Sequence, residues 1–514
     1  MGGYDHARVL DGVLAQALEL RGAAVDILLC DKAIPACQMI KFGRATPEML
    51  AEGSPIPYCK ECVSRGRQGF RGLSSPLRWM SQYLTADDIA TAERTAQSVP
   101  ADDIPTFTWE GLPVGDHAHA GALRYFARGD LSGEQQGEAV LRRYLEAGLR
   151  TIACVRRLIK THRYDVIVVN HGIYIPQGMI CEVARAMGVR VVTYNPAYRK
   201  HSFIFSHGAS YHYTMVDEPV ADWRRLEMTP ELVRSTQSYL ASRRSGSNDW
   251  IWFHDKPQED IAPILSEIGC DLSKPYVVAL TSVVWDAQLH YKSNAFPNML
   301  VWLKETIEYW RTRPDLQLII RVHPAEVRGL VPSRQRVAEE IAAAFPELPT
   351  NVFVVGPEHQ ASTYALCEGA DTVVIYNTKT GIEVASTGVP VIVAGEAWVR
   401  GKGFTRDALS REDYRALLDA LPLQQRMSAA EQELALKYAF HFFFRRMIPL
   451  PFIHQEKSGR FRLQISDARE LKPGRFVGLD TICDGILAGA SFIYPAESLR
   501  DPFSEETAAA EMAG

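Results

Sequence analysis

The sequence predicts an α/β protein of two Rossmann-like domains facing a central cleft. Short β-branched runs alternate with helical patterns twice over, the signature of parallel sheets covered by helices. The chain has 514 residues, 46% hydrophobic and 23% charged, enough for more than one core. A helical, aromatic segment after the second set of strands offers a crossing back to the first.

Taken in order, "HARVLDGVLAQALELRGAAVDILLC" reads as the first helix and second strand of a Rossmann unit, joined at Arg21-Gly22. The strand that should precede it is not seen, and residues 1–4 read as the loop leaving it. In a doubly wound sheet that strand lies in the middle. Either another segment fills the slot, or the natural start lies upstream by a strand of about 5–6 residues or more. Further strands are expected at 165–170, 189–194 and 211–216, beside the one at 24–29, with an insertion over 35–149 and a helix over 137–157. This first domain runs to about 250, ending in the polar "ASRRSGSN" of 241–248. The second, 265–427, is predicted to hold strands at 276–281, 316–322, 351–355, 372–376 and 389–394, with helices over 299–311 and 334–344. Residues 428–514, which contain "LALKYAFHFFFRRMIPLPF", form the crossing segment and tail.

A formal charge of -5 and a pI of about 6.3 exclude a general polyanion binder, so no nucleic-acid partner is expected and phosphate recognition should be local. No apolar run approaches ~20 residues, and the start lacks the basic-then-apolar order of a secretory signal. The expected location is cytoplasmic. "FHFFFRRMIPLPF" fits a membrane surface, which would make the protein peripheral at the inner face, and equally a buried interdomain helix.

In an open α/β sheet, ligands bind at the carboxyl ends of strands, where a helix start directs N–H groups and a positive dipole end at anions. "YNTKTGIEVASTGVPVIVAGEAWVRGKGFT", from Tyr376, places Thr378, Thr380 and the amide of Gly381 at such a start. These suit a diphosphate or a nucleotide monophosphate. Lys379 adds a point charge, Glu383 can accept from two vicinal ribose hydroxyls, and Arg400 and Lys402 follow the next strand. The bland reading is an ordinary capped helix. "LQLIIRVHPAE" puts Arg321, His323, Pro324 and Glu326 at a second strand end, where Pro324 stops the strand. The helix start with Lys379, Arg321 or Lys402 can neutralise a leaving phosphate without a catalytic metal.

"RVHPAE", the segment from Tyr376, "SHGASYHYTMVDE" and "YAFHFFFRR" resemble bacterial capsule-polysaccharide biosynthesis proteins, glycosyltransferases of the two-domain GT-B fold. The resemblance covers most of the chain and is most specific over 377–405. It implies a C-terminal domain that binds a nucleotide sugar. Members using CMP-activated acidic sugars carry a His-Pro element and a hydroxyl-rich, Gly-containing helix start, matched here by His323-Pro324 and by 378–381. Thr-Lys-Thr stands where a Ser-rich version is expected, which leaves the donor open among CMP-, UDP- and GDP-sugars. The implied function is sugar transfer to a capsule or surface polysaccharide, or to a lipid-linked glycan. The rivals are a nucleotide-sugar 2-epimerase of the same fold and a noncatalytic glycan-binding assembly protein.

In the first domain, "VIVVNHGIYIPQG" ends a strand at His171, whose imidazole, with an ordinary pKa near ~6.5, suits proton removal from an acceptor hydroxyl. Asp5 and His6, in the loop where the missing strand would end, compete for that role. "YNPAYRK" could hold an anionic acceptor. Cys30, Cys37, Cys59 and Cys62 gather early, and "YCKEC" has a spacing by which two thiolates grip one tetrahedral ion. The alternatives to a structural zinc are an iron–sulfur cluster, or a core Cys30 with a redox pair.

Overall fold

From strand to strand the chain builds one unit, leaves it for a second, and returns. The computed structural model describes residues 3–253, 257–286, 294–456 and 459–499. The first unit holds Met1–Phe126, Asp130–Thr214 and Phe444–Gly514; the second holds Ala127–Gly129 and Met215–Phe443.

In the first unit, β1 (Ile27–Leu29) pairs in parallel with β2 (Leu77–Trp79) in a sheet of two. The run at 24–29 therefore joins a strand of the insertion and not the main sheet. Asp26 helps fix this pairing, accepting from Arg78 at 3.0 Å and from the Tyr164 hydroxyl at 2.7 Å. The main sheet contains β3 (Val166–Asn170), β4 (Arg190–Pro196) and β5 (Ser202–His207). β3 and β4 are parallel, but β5 runs antiparallel to β4, because the connection between them is too short for a crossover. The stretch expected as a strand at 211–216 is instead a short helix, Tyr211–Thr214. The helix Gly137–His162 buries Leu141, Tyr144, Leu145, Gly148, Ile152, Val155 and Ile159, a stripe at three- and four-residue spacing.

The second unit contains β6 (Tyr276–Leu280), β7 (Gln317–Arg321), β8 (Val352–Val355), β9 (Thr372–Ile375), β10 (Val391–Val393) and β11 (Arg406–Asp407). All pair in parallel, in the order β11-β10-β9-β6-β7-β8. That is the doubly wound dinucleotide-fold order, whose direction reverses between β6 and β9. The strands are apolar on both faces because helices such as Met299–Trp310 cover them, with Trp302, Ile307 and Trp310 fully buried.

The polar run 241–248 lies inside the second unit, in its long segment Met215–Phe443. It is no exposed linker, since Arg243 is buried. The change of unit near the other end falls between Phe443 and Phe444, within a π-helical turn, His441–Arg446. The chain then adds β12 (Met447–Pro449) antiparallel to β5 in the first unit. Phe442, Phe443 and Phe444 are all buried, so this aromatic segment presents no apolar face to a membrane surface. Among the described residues no helix is long and apolar enough to cross a membrane.

Candidate functional site

The sheet reversal in the second unit defines a crevice at the carboxyl ends of β6 and β9. Thr281 and Ser282 follow β6, His323 and Pro324 follow β7, and Tyr376, Asn377 and Thr378 follow β9. The Ser282 hydroxyl donates to Asn377 Oδ1 at 2.9 Å, bridging the reversal, and the His323 amide donates to Thr281 Oγ1 at 3.0 Å. His323 Nδ1 accepts the Ala325 N–H at 3.0 Å, so the neutral ring carries its proton on Nε2. That makes half-buried His323 a hydrogen-bond donor, with Phe253 edge-on at 5.7 Å. Pro324 opens the short helix Ala325–Arg328 that follows.

The loop after β9 differs in detail from a simple anion cradle. Thr378 Oγ1 and Thr380 Oγ1 are 3.3 Å apart, and the Gly381 N–H is directed at Thr378 O. Gly381 is needed for packing: a Cβ there would meet Ile375 Cδ1 at 2.7 Å and Val399 Cγ2 at 3.3 Å. Gly381→Ala should therefore destabilise the second unit by about 1–3 kcal/mol through overpacking, read from a urea melt. Because a flexible methyl end is the nearest atom, the lower end is expected.

Beneath this loop lies a buried ionic network. Glu383 accepts from Arg243 Nε at 2.8 Å, from Lys379 Nζ at 2.6 Å and from the Tyr364 hydroxyl. Arg243 also donates to Asp249 at 2.6 Å, and Asp249 accepts from the Tyr239 hydroxyl at 2.7 Å. Two cations thus face two carboxylates. Burial alone would raise the Glu383 carboxyl, but the Arg243 and Lys379 charges outweigh it and hold the group at about 2. Burial raises Asp249 and lowers Lys379. Glu383, expected to meet a ribose, has both oxygens engaged by its own chain. Arg243, Asp249, Tyr239 and Tyr364 were missed in the sequence because a polar run and isolated tyrosines carry no motif.

The other expected phosphate ligands serve the scaffold. Arg321, 1% exposed, donates to Thr363 Oγ1 at 3.2 Å and to the carbonyls of Gly356, His359 and Ala361, pinning that loop to β7. Burial lowers its guanidinium to about 10. Arg400 donates to the carbonyls of Gly395, Val393 and Ala408. Lys402, 2% exposed, donates to Val216 O and Glu218 O at 2.9 and 3.1 Å. Glu326 accepts the Val337 N–H at 3.1 Å, and burial raises its carboxyl. Arg321, Arg400 and Lys402 are held inward by backbone carbonyls, and Glu326 by a helix-start N–H. Among the described residues, the side chains named at these strand ends are hydroxyls, an amide and an imidazole, and Lys379, on the loop itself, is 15% exposed at its side chain.

In the first unit, His171 follows β3 in the left-handed region, at φ 69°. Its amide donates to Tyr194 O at 2.9 Å, and its ring lies 5.8 Å from His212, stacked, and 5.1 Å from Tyr174. A non-glycine residue held at positive φ by its surroundings is a recurrent mark of functional sites. Asp5 is paired with Arg8 and accepts the Phe461 N–H at 2.6 Å. His6 contacts the rings of Tyr4 and Phe461, and burial lowers it to about 4.

The four early cysteines are free and half-buried. They lie near enough to raise one another: burial, then Cys30 and Cys62, push Cys59 up to about 11, and Cys37 rises further for the same reasons. Among the described residues, however, no group of three or more His, Cys, Asp or Glu is placed to hold a metal ion. Cys59 and Cys62 sit on the helix Pro57–Gly69. Among the described residues the expected zinc shell of Cys30, Cys37, Cys59 and Cys62 is thus not drawn together as a ligand set.

Residues 264–437 match the family described as capsule polysaccharide biosynthesis protein. No curated protein matches the chain. Among solved structures, the chain is similar to the KpsC beta Kdo 2,4 transferase of Thermosulfurimonas dismutans, at 15% identity over 60% of this chain and 86% of that one, with a TM-score of 0.35. The beta Kdo 2,7 transferase of the same KpsC gives 15% identity, 64% and 89% coverage, and 0.35. A UDP-GlcNAc 2-epimerase from Neisseria meningitidis, bound to UDP-GlcNAc, gives 12%, 57% and 76%, and 0.25. Residues 264–437, the part of the chain that matches the capsule polysaccharide biosynthesis protein family, build most of the doubly wound sheet.

Proposed function

We propose that the protein is a GT-B glycosyltransferase of capsule synthesis, moving a sugar from a nucleotide donor held by the second unit to a polysaccharide or lipid-linked glycan acceptor held by the first. The observation that carries this reading is the crevice at the β6/β9 reversal, lined by Ser282, His323, Asn377, Thr378 and Thr380, within a segment of the capsule family. His323 Nε2–H is the donor to the nucleotide. His171, kept in its strained conformation, is the base that takes the acceptor's proton. His6 is poorly suited to that step, since a base at about 4 has little affinity for the proton at neutral pH.

The nucleotide is CMP-, UDP- or GDP-linked, and a thermal-shift screen against the three and their sugars distinguishes them, because a ligand that binds the native state raises its stability. In calorimetry, His323→Ala should weaken the cognate nucleotide roughly tenfold or more, the worth of one hydrogen bond to a charged group. Release of nucleotide only when a glycan is present supports transfer. Epimerisation of the donor without glycan would instead make the protein an isomerase, and glycan binding with no nucleotide turnover an assembly protein.

A further inference from the structure

We infer that Lys379 is a placeholder: its ammonium sits on Glu383 Oε1, and on nucleotide binding it moves to the phosphate while a ribose hydroxyl takes its position on Oε1. The inference rests on the nucleotide-binding reading of the crevice. It reconciles a carboxylate at the ligand-binding end of the sheet with that carboxylate's engagement by its own chain.

The asymmetry of the network supports it. Glu383 Oε2 is held twice, by Arg243 Nε at 2.8 Å and by the Tyr364 hydroxyl, whereas Oε1 is held by Lys379 Nζ at 2.6 Å. Arg243 and Glu383 are the deep members, with side chains 6% and 3% exposed, while Lys379 reaches solvent at 15%. Arg243 also joins Glu383 to Asp249, so one guanidinium keeps both carboxylates compensated if the lysine leaves. Tyr239, Tyr364 and Cys367 are further titratable groups near it among the described residues, each held neutral chiefly by burial. Lys379 lies on the loop between Thr378 and Thr380, whose hydroxyls border the crevice. Rotation of its flexible stem can therefore carry the ammonium toward a bound phosphate without moving the helix Thr380–Ser386. The exchange conserves pairing: Oε1 gives up an N–H donor and receives an O–H donor, and the phosphate acquires the cation. Lys379 also keeps a buried oxygen satisfied, where an orphan would be costly.

The test compares CMP, UDP and GDP with cytidine, uridine and guanosine by calorimetry on the full chain, wild type against Lys379→Met. Wild type should prefer the cognate nucleotide over its nucleoside. In Lys379→Met that preference should fall by about tenfold or more, with the nucleoside bound as well as before or better, since nothing must be displaced. The 2′-deoxynucleotide should bind wild type several-fold more weakly, whether or not the variant folds. An unchanged nucleotide-to-nucleoside ratio in a folded Lys379→Met, or equal affinity for ribo- and deoxynucleotide, overturns the exchange and leaves nucleotide binding standing. Absence of wild-type affinity for all three nucleotides would overturn both.

Discussion

Glu383→Ala is expected to lower the unfolding free energy by about 3–5 kcal/mol, the cost of leaving buried charges without their partner. The carboxylate sits between Arg243 and Lys379, 3% exposed, and its removal takes a carboxylate partner from each of the two cations. Arg243, 6% exposed, cannot recover by turning to water. The loss should appear as a lower urea midpoint with an unchanged slope for the second unit. Acid titration gives an independent reading. A carboxyl ordinarily near 4.5 and held at about 2 in the fold contributes stability that is fully present above 4.5 and is lost as pH falls toward 2. Glu383→Gln should flatten that limb while keeping the side chain's shape. A Glu383→Ala midpoint within about 1 kcal/mol of wild type would mean that the network is hydrated and carries no weight in the fold.

This network also marks where the sequence is legible and where it is not. The strands of the second unit are readable because runs such as 276–280 and 317–321 are buried on both faces, so apolar residues fill their middles without alternation. The crevice follows from their order, and Thr378, Thr380 and His323 are visible as polar residues at the ends of apolar strands. The destinations of the long charged side chains are not readable. Arg321 and Lys402 look like phosphate ligands in one dimension, yet each meets carbonyls brought close only by tertiary folding. Arg243, in a run that reads as linker, is among the most deeply held charges in its unit. The strand at 202–207 escaped notice because "SFIFSH" is short and its partner Met447–Pro449 lies more than two hundred residues away in the chain. Alternation cannot reveal a pairing that depends on so remote a return.

Replacing His171 should produce the largest effect on turnover, a loss of roughly 10²–10⁴-fold, the usual contribution of a positioned general base. The substitution must respect the backbone. His171 sits at φ 69°, next to Gly172 at φ 82°, and its amide is committed to Tyr194 O. Alanine there would add strain to the loss of the imidazole, whereas asparagine tolerates the left-handed region, so His171→Asn separates chemistry from folding. The variant should keep its melting temperature within a few degrees of wild type and bind the nucleotide with unchanged affinity, because nucleotide recognition is assigned to the second unit. Its turnover with donor and glycan should fall by the full factor, since a base contributes mainly in the transition state. His6→Asn provides the contrast. A ring lowered to about 4 by burial against Tyr4 and Phe461 is a packing element, and its replacement should cost stability with little effect on turnover per folded molecule. The reverse pattern, a normal rate in His171→Asn and a collapsed rate in folded His6→Asn, would transfer the base to the start of the helix Asp5–Glu19 and leave the strained histidine as a support for the loop after β3.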